Sequence, residues 1–431
     1  MIRGGFGLYY DNTIDNLRLF ERADLGPVGA EQFLVGTAIV SPLLNPYGGD
    51  GRFNRGQITL AQMLALYPAV RADLESRLTS CSLPTALECT GSVSGPIFSN
   101  RFQVPYSLQY SIGVQRELPL NLLLQVDYNY RKGLNEVNVF DINQADSVAG
   151  PRLGAAFPFP VPYADSSAFS TYSGILARVD RRFRNGFQFT ASYALSSFKA
   201  FSGDALGLGG APTDLNNLRS DFGPAGLDRK HRFVFSGIYE LPFFKRSDSW
   251  VKKNLIGNWT LSLISTSFSG TPQSVFLPDS ADLSGTGTFA TYLPGTGAGS
   301  IGRNIRTVSQ INELIRAFNN TRAGGVDPFG TPLARIAELP LDTQLGSDSV
   351  ISQDFRVTKN FSFGEKYRVQ LIGEVFNMFN IANLVNVNDL VLPVEGTPAD
   401  QITTLRPTQR SNSVFGTGGP RAFQFGARFT F

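Results

Sequence analysis

From Tyr106 to Gly133 apolar and polar residues alternate almost without interruption. Tyr106, Leu108, Tyr110, Ile112 and Val114 take every second position, with Ser107, Gln109, Ser111, Gly113 and Gln115 between them. After a break at Leu118-Pro119 the alternation resumes, with Leu122, Leu124, Val126, Tyr128 and Tyr130 set against Gln125, Asp127, Asn129 and Arg131. Successive side chains on a strand point to opposite faces, so each arm is read as a strand with one apolar and one polar face. Each arm spans about 10 to 12 residues, the length a tilted strand needs to cross a bilayer. The tyrosines stand at the arm ends far from the turn, where an interfacial aromatic belt would lie.

The same period recurs along the chain. Residues 174–198 form a second hairpin around Arg184-Asn185-Gly186, because Asn-Gly supplies the two positive-φ positions of a tight turn. Ile175, Ala177, Val179, Phe183, Phe187, Phe189, Ala191, Tyr193 and Leu195 share one face, while Arg178, Asp180 and Arg182 take the other. Further strands are expected at 229–241, 257–270, 350–360, 366–378 and 421–431, which with 1–10 makes about ten. Short connections (117–120, 184–186, 242–256, 361–365) alternate with long ones (11–102, 133–170, 200–228, 271–349, 379–420). This is the asymmetry of a transmembrane antiparallel up-and-down β-barrel of all-β class, with short periplasmic turns and long outer loops. The competing fold is a soluble two-sheet sandwich with one solvated face per sheet. The C-terminal stretch RAFQFGARFTF puts Phe423, Phe425, Phe429 and Phe431 on one face, so the last residue sits on the side that wants hydrocarbon. Gly4, Gly5 and Gly7 leave the first strand weakly specified and prone to slip, so an open sheet or a poor ladder is expected between 2–10 and 421–431.

Composition narrows the function classes. No run approaches the ~18 apolar residues of a membrane helix, which excludes a helical membrane protein and leaves a barrel open. A net charge of +3 without basic, aromatic-interleaved runs argues against nucleic acid as a partner. One histidine, His231, and two cysteines, Cys81 and Cys89, offer no zinc-ligand spacing, and nothing calls for another cofactor. Cys81 and Cys89 frame CSLPTALEC in a loop and are expected to pair as a local disulfide in an oxidising compartment, the alternative being two free thiols. The N-terminal MIRGGFGLYYD lacks the apolar core of a signal peptide and reads as the inside of a strand. Helices are expected at 59–78, opened by a Thr59–Gln62 capping box, and at 310–318. GAGSIG at 297–302 matches G-x-G-x-x-G but lacks the preceding strand and the βαβ rhythm, so it reads as a flexible surface loop. In DRKHR, Arg229, Lys230 and Arg232 could contact lipopolysaccharide phosphates, or form a solvated rim partly neutralised by Asp228. His231 has no evident nucleophile or orienting carboxylate, and no catalytic set emerges. Asp127, Arg131, Arg178, Asp180, Arg182, Arg368, Glu374 and Arg428 read as lumen lining, where charge faces water.

Seven segments in order, RGGFGLYYD, VPYSLQYSIGVQREL, VDRRFRNGFQFTASYALSS, FGPAGLDRKHRFVFSGIYELPF, GNWTLSLISTSFSGTP, EVFNMFN and GPRAFQFGARFTF, together resemble the C-terminal barrel of TonB-dependent receptors of the Oar-like type. The resemblance implies a 22-stranded barrel enclosing an N-terminal plug. This chain would supply its last ten strands: residues 1–431 read as one barrel domain without plug or TonB box. It also implies a cell outer membrane location, outer-membrane lipid as a partner, and recognition by the barrel-assembly machinery through the terminal Phe431. The TonB complex becomes a partner only if missing N-terminal sequence supplies a plug. The expected function is ligand uptake across the outer membrane, without catalysis. The alternatives are a plugless passive barrel, a surface adhesin, or a gene fragment without function.

Overall fold

The computed structural model describes residues 1–11, 97–146, 150–151, 162–201, 212–244, 247–278, 281–287, 290–343, 345, 349–364, 366–385, 389–398, 409–410 and 418–431, with isolated positions between 43 and 72. Ten long strands carry it: β1 (Ile2–Tyr10), β2 (Tyr106–Leu118), β3 (Leu122–Asp141), β4 (Pro162–Arg184), β5 (Phe187–Phe201), β6 (His231–Glu240), β7 (Trp259–Phe268), β8 (Val350–Phe363), β9 (Tyr367–Phe376) and β10 (Ala422–Thr430). They pair in sequence order, each antiparallel to the next. The sheet is a single meander, as the alternating loop lengths require. Short turns join one end of the strands and long segments the other.

The turns follow from local chemistry. Asn185 (φ 53°) and Gly186 (φ 78°) give the β4–β5 turn the two positive φ angles of a tight hairpin. Between β2 and β3, Pro119 starts a short 3₁₀ turn in which Leu120 and Asn121 also adopt positive φ. β3 and β4 run further than the alternation suggested, to Asp141 and back to Pro162, and register shifts between Gly133 and Asn138 mark where the ladder bulges beyond the predicted arms. Two short pieces lengthen the long-loop end: Ile97–Phe98 pairs parallel with Tyr163–Ala164, and Phe222–Pro224 pairs antiparallel with the end of β5.

Register fixes the faces. Leu108, Tyr110, Leu124, Val126, Phe187, Phe189, Phe425 and Phe429 all fall on the apolar side of the sheet, and Phe425 is 82% exposed there. No second sheet covers these residues among the described ones, so the sandwich is excluded. Tyr110 stacks on Tyr130 at 4.8 Å near the long-loop end, and Tyr367, Phe429 and Phe431 stack in series at the short-turn end. The polar side is less uniform than predicted: Leu176, Ile264 and Ile372 interrupt it. β1 pairs with β2 without a break from Ile2 opposite Val114 to Tyr10 opposite Tyr106, despite its glycines. β1 and β10 do not pair with each other, so the sheet is open at that seam, as expected.

Two fully buried asparagines hold the long-loop ends of β8, β9 and β10 together. Asn383 accepts from the Ile351 N–H at 2.7 Å and donates to the carbonyls of Ile351 and Gly418, each at 3.0 Å. Asn377 donates to Ile381 and Gly419 and accepts from the Ile381 N–H. Truncating Asn383 strands three buried backbone groups at ~1–3 kcal/mol each before relaxation. Asn383→Ala is expected to lower stability by at least ~2 kcal/mol, read as a lower urea midpoint in detergent, whereas Ser111→Ala, at an exposed hydroxyl, leaves the midpoint unchanged.

Candidate ligand-facing surface

On the polar side, ion pairs and their hydrogen-bond partners tie strands together. Arg3 of β1 grips Asp127 of β3 through two nitrogens, Nη2 to Oδ2 at 2.6 Å and Nε to Oδ1 at 3.0 Å, and Gln125 donates to the same carboxylate. Gly113 of β2 lies in register between them, and a Cβ there would stand 1.9 Å from the Asp127 carboxylate. The glycine is what lets the pair span an intervening strand. Arg178 and Asp180 pair in a two-point contact, and the Thr190 hydroxyl donates to the same carboxylate at 2.6 Å. Arg356 of β8 pairs with Glu374 of β9. A cleft of about 430 Å³ opens on β5 to β9, lined by Thr190, Ser236, Ile264, Asp354, Arg356 and Glu374. Apolar residues (Phe189, Ile238, Leu263, Phe355, Val375, Phe376) share the lining with these charges and hydroxyls.

The second component is built by the long segments. Val275, Leu277, Leu293, Ile301, Ile305, Leu333, Ile336 and Leu339 form a hydrophobic core with one face of helix α1 (Val308–Thr321), and Leu390 and Leu392 from the β9–β10 connection close it. The apolar positions of α1 recur at helical spacing, Val308, Ile311, Ile315 and Phe318, so burial selects that face. A reciprocal Thr307–Gln310 capping box starts the helix. Asn312 and Asn319, two turns apart, each exchange a pair of hydrogen bonds with the backbone of Leu339 and Ile336. Alternation-based reading missed this core because its apolar residues follow no single period.

This unit is anchored on the strand ends. Arg303 meets Asp228 at 2.6 Å, with both side chains almost fully buried, and also donates to the Asp228 and Gly270 carbonyls. Asp228 in turn accepts from the Phe198 N–H of β5. Gly223 and Gly299 allow the two backbones to touch: a Cβ on Gly223 would lie 2.3 Å from the Ala298 carbonyl oxygen, and one on Gly299 (φ 62°) 2.1 Å from that of Pro224. Beside this contact Asp221 is buried, accepting from the Thr213 N–H and hydroxyl. Burial pushes its carboxyl above the usual range, against the lowering effect of those bonds.

The residues singled out from sequence divide accordingly. Arg229 turns inward, its guanidinium 5.0 Å from the Phe268 ring and bonded to the Ser269 carbonyl. Burial, with Arg303 nearby, depresses its pKa. Arg232 pairs across the ladder with Phe268 and Ala194 on the polar side. Asp228 is engaged directly by Arg303, while its charge still acts on neighbouring Arg229. His231 bonds through Nδ1 to the Tyr193 hydroxyl at 2.7 Å. GAGSIG is packed, with Ala298, Ser300 and Ile301 buried, which corrects the reading of a flexible surface loop: Ile301 belongs to the hydrophobic core. The Thr59–Gln62 capping box forms. Cys81 and Cys89 lie outside the described residues. Phe423, Phe425, Phe429 and Phe431 stand exposed at the sheet edge.

The family model described as "Outer membrane beta barrel domain" matches residues 1–424. No curated protein matches the chain. Similar solved structures include the outer membrane transporter YddB from Escherichia coli (9% identity, TM-score 0.41, covering 79% of this chain and 35% of that one). Others are the pyoverdine outer membrane receptor FpvA from Pseudomonas aeruginosa PAO1 (12%, 0.37, 77% and 30%) and the FrpB iron transporter from Neisseria meningitidis (10%, 0.36, 78% and 33%). The chain spans about a third of the length of these structures.

Arg303→Ala leaves the Asp228 carboxylate buried without its cation, a loss of ~3–5 kcal/mol at that contact. Limited proteolysis is expected to cut 273–305 at least tenfold faster in the variant while strand content by circular dichroism is unchanged. Asp221, with its raised pKa, stabilises the folded loops most when protonated. That contribution is complete below the unfolded carboxylate value of ~3.9 and is lost as pH rises through the higher folded value. Protease resistance of the loop unit should therefore fall as pH rises across this window, and Asp221→Asn should flatten the profile.

Proposed function

The chain belongs to the outer membrane β-barrel domain family and sits in the outer membrane, and from that premise we propose that it forms the barrel portion of a TonB-dependent receptor of the Oar-like type. In this reading it takes up a polar ligand across the outer membrane without catalysing a reaction. The observation that supports this best is the folded loop unit: a 15-residue buried core at the long-loop end is far more than strand connection needs, and it adjoins strands with a charged polar face. A capture surface of this kind must keep its shape, which a packed core with buried ion-pair anchors provides. Energy coupling would require a plug, supplied by sequence outside these residues, that the TonB complex can engage.

Uptake is tested by producing the chain with its in-frame upstream sequence in hosts with and without TonB. Accumulation of a medium solute only in the TonB-containing host supports the reading; equal leakage in both would establish a passive pore. The same proposal assigns Phe431 and its aromatic row to recognition by the barrel-assembly machinery. Removing Phe431 is expected to reduce outer-membrane levels several-fold in cells, with protein accumulating in the periplasm. Refolding of the purified chain in detergent should be unaltered.

A further inference from the structure

Charge on the lipid-facing side of the sheet occurs at two levels. At the long-loop end, Lys132 of β3 and Lys199 of β5 both register against Thr171 of β4, so the three side chains form one row. At the short-turn end, Arg116 pairs across from Leu124 and Arg181 across from Leu122. Between these levels the lipid-facing positions of β3 are Leu124, Val126, Tyr128 and Tyr130.

A cation facing hydrocarbon costs ~2–4 kcal/mol at the bilayer midplane and little at the interface, so the two charged levels mark the headgroup boundaries. Their spacing agrees. From Leu122 or Leu124 to Lys132 the strand rises ~27–34 Å, or ~20–26 Å along the membrane normal at a tilt of ~40°. That is the ~25 Å of a barrel's apolar band. Adjacent strands lie ~4.8 Å apart, which sets the two lysine Cα atoms ~10 Å apart, close enough for both ammonium groups to converge above Thr171. Among the described residues neither lysine's ammonium group takes part in a hydrogen bond or ion pair. Of the basic run flagged from sequence, Arg229 is turned inward and Arg232 lies on the polar face.

We propose that Lys132, Thr171 and Lys199 form a binding site for a glycolipid phosphate of the outer leaflet, of the lipid A type. Two ammonium groups supply charge-assisted hydrogen bonds and the threonine hydroxyl a further donor, the complement of a phosphate monoester held at the headgroup plane. The site rests on outer-membrane placement alone and is independent of whether the chain imports a ligand.

The full chain, folded in neutral detergent, is incubated with bisphosphorylated lipid A, with its dephosphorylated form, or with phosphatidylglycerol, and bound lipid is counted by native mass spectrometry. The intact protein is expected to retain bisphosphorylated lipid A about tenfold better than the double variant Lys132→Gln/Lys199→Gln, with little retention of dephosphorylated lipid by either. Arg229→Gln/Arg232→Gln should retain lipid A as the unmodified chain does. Equal retention by the lysine variant, or undiminished binding of the dephosphorylated form, overturns the site. Phosphatidylglycerol held as tightly as lipid A overturns the assignment to the outer leaflet. Circular dichroism of each variant separates lost binding from lost fold. A chain that fails to float with phosphatidylcholine vesicles would refute the membrane placement and the site with it.

Discussion

Inside hydrocarbon no water is available to a backbone amide, so its N–H and C=O groups need partners on a neighbouring strand. This chain meets the requirement between β1 and β10 and leaves it to be met only along the outer edges of those two strands. That requirement explains the plainest features of this chain. The strands are long, they follow one another in order, and the ladders from β1 to β10 continue through nine consecutive antiparallel pairings. Side chains then need only match their surroundings on each face: aromatic and aliphatic on one, ionic and hydroxylic on the other. The glycines and hydrophobic interruptions of the polar face are tolerated because the ladder, more than side-chain packing, carries the structure.

Packing in the ordinary sense begins where the sheet leaves that environment. The buried core of the described residues is concentrated in the long segments, around α1, and its links to the sheet are made by polar groups with no exposure to spare: Arg303 with Asp228, and Asn377 and Asn383 with the backbone of β8 and of the β9–β10 connection. The molecule thus uses two different kinds of cohesion, hydrogen-bonded ladders within the sheet and a close-packed apolar interior in the connections.

The strands were legible in the sequence because a period of two survives noise: the turn at Asn185-Gly186, the arms around Pro119 and the faces of Phe425 and Phe429 are where alternation puts them. What escaped is non-periodic or long-range. Ile301 and Leu390 share a core across 89 positions of chain, and no local pattern pairs Arg303 with Asp228 or places Arg229 against Phe268. The Thr59–Gln62 capping box was readable, since it is contained within four residues; the equivalent Thr307–Gln310 box starts its helix two residues earlier than the sequence suggested. Lys132 and Lys199 each interrupt the apolar alternation singly; only the register that aligns them on Thr171 gives them a common role.

The bridge from Arg3 to Asp127 over Gly113 has a consequence for how β1 finds its place. A strand containing Gly4, Gly5 and Gly7 has few side chains with which to tell one alignment from the next. Displaced by one residue, however, it would swing the Arg3 guanidinium to the lipid side and leave the Asp127 carboxylate without its cation. A single electrostatic contact therefore acts as an indexing pin, converting a nearly featureless ribbon into one with a preferred stop, and it can do so only because the strand lying between has no side chain at that point.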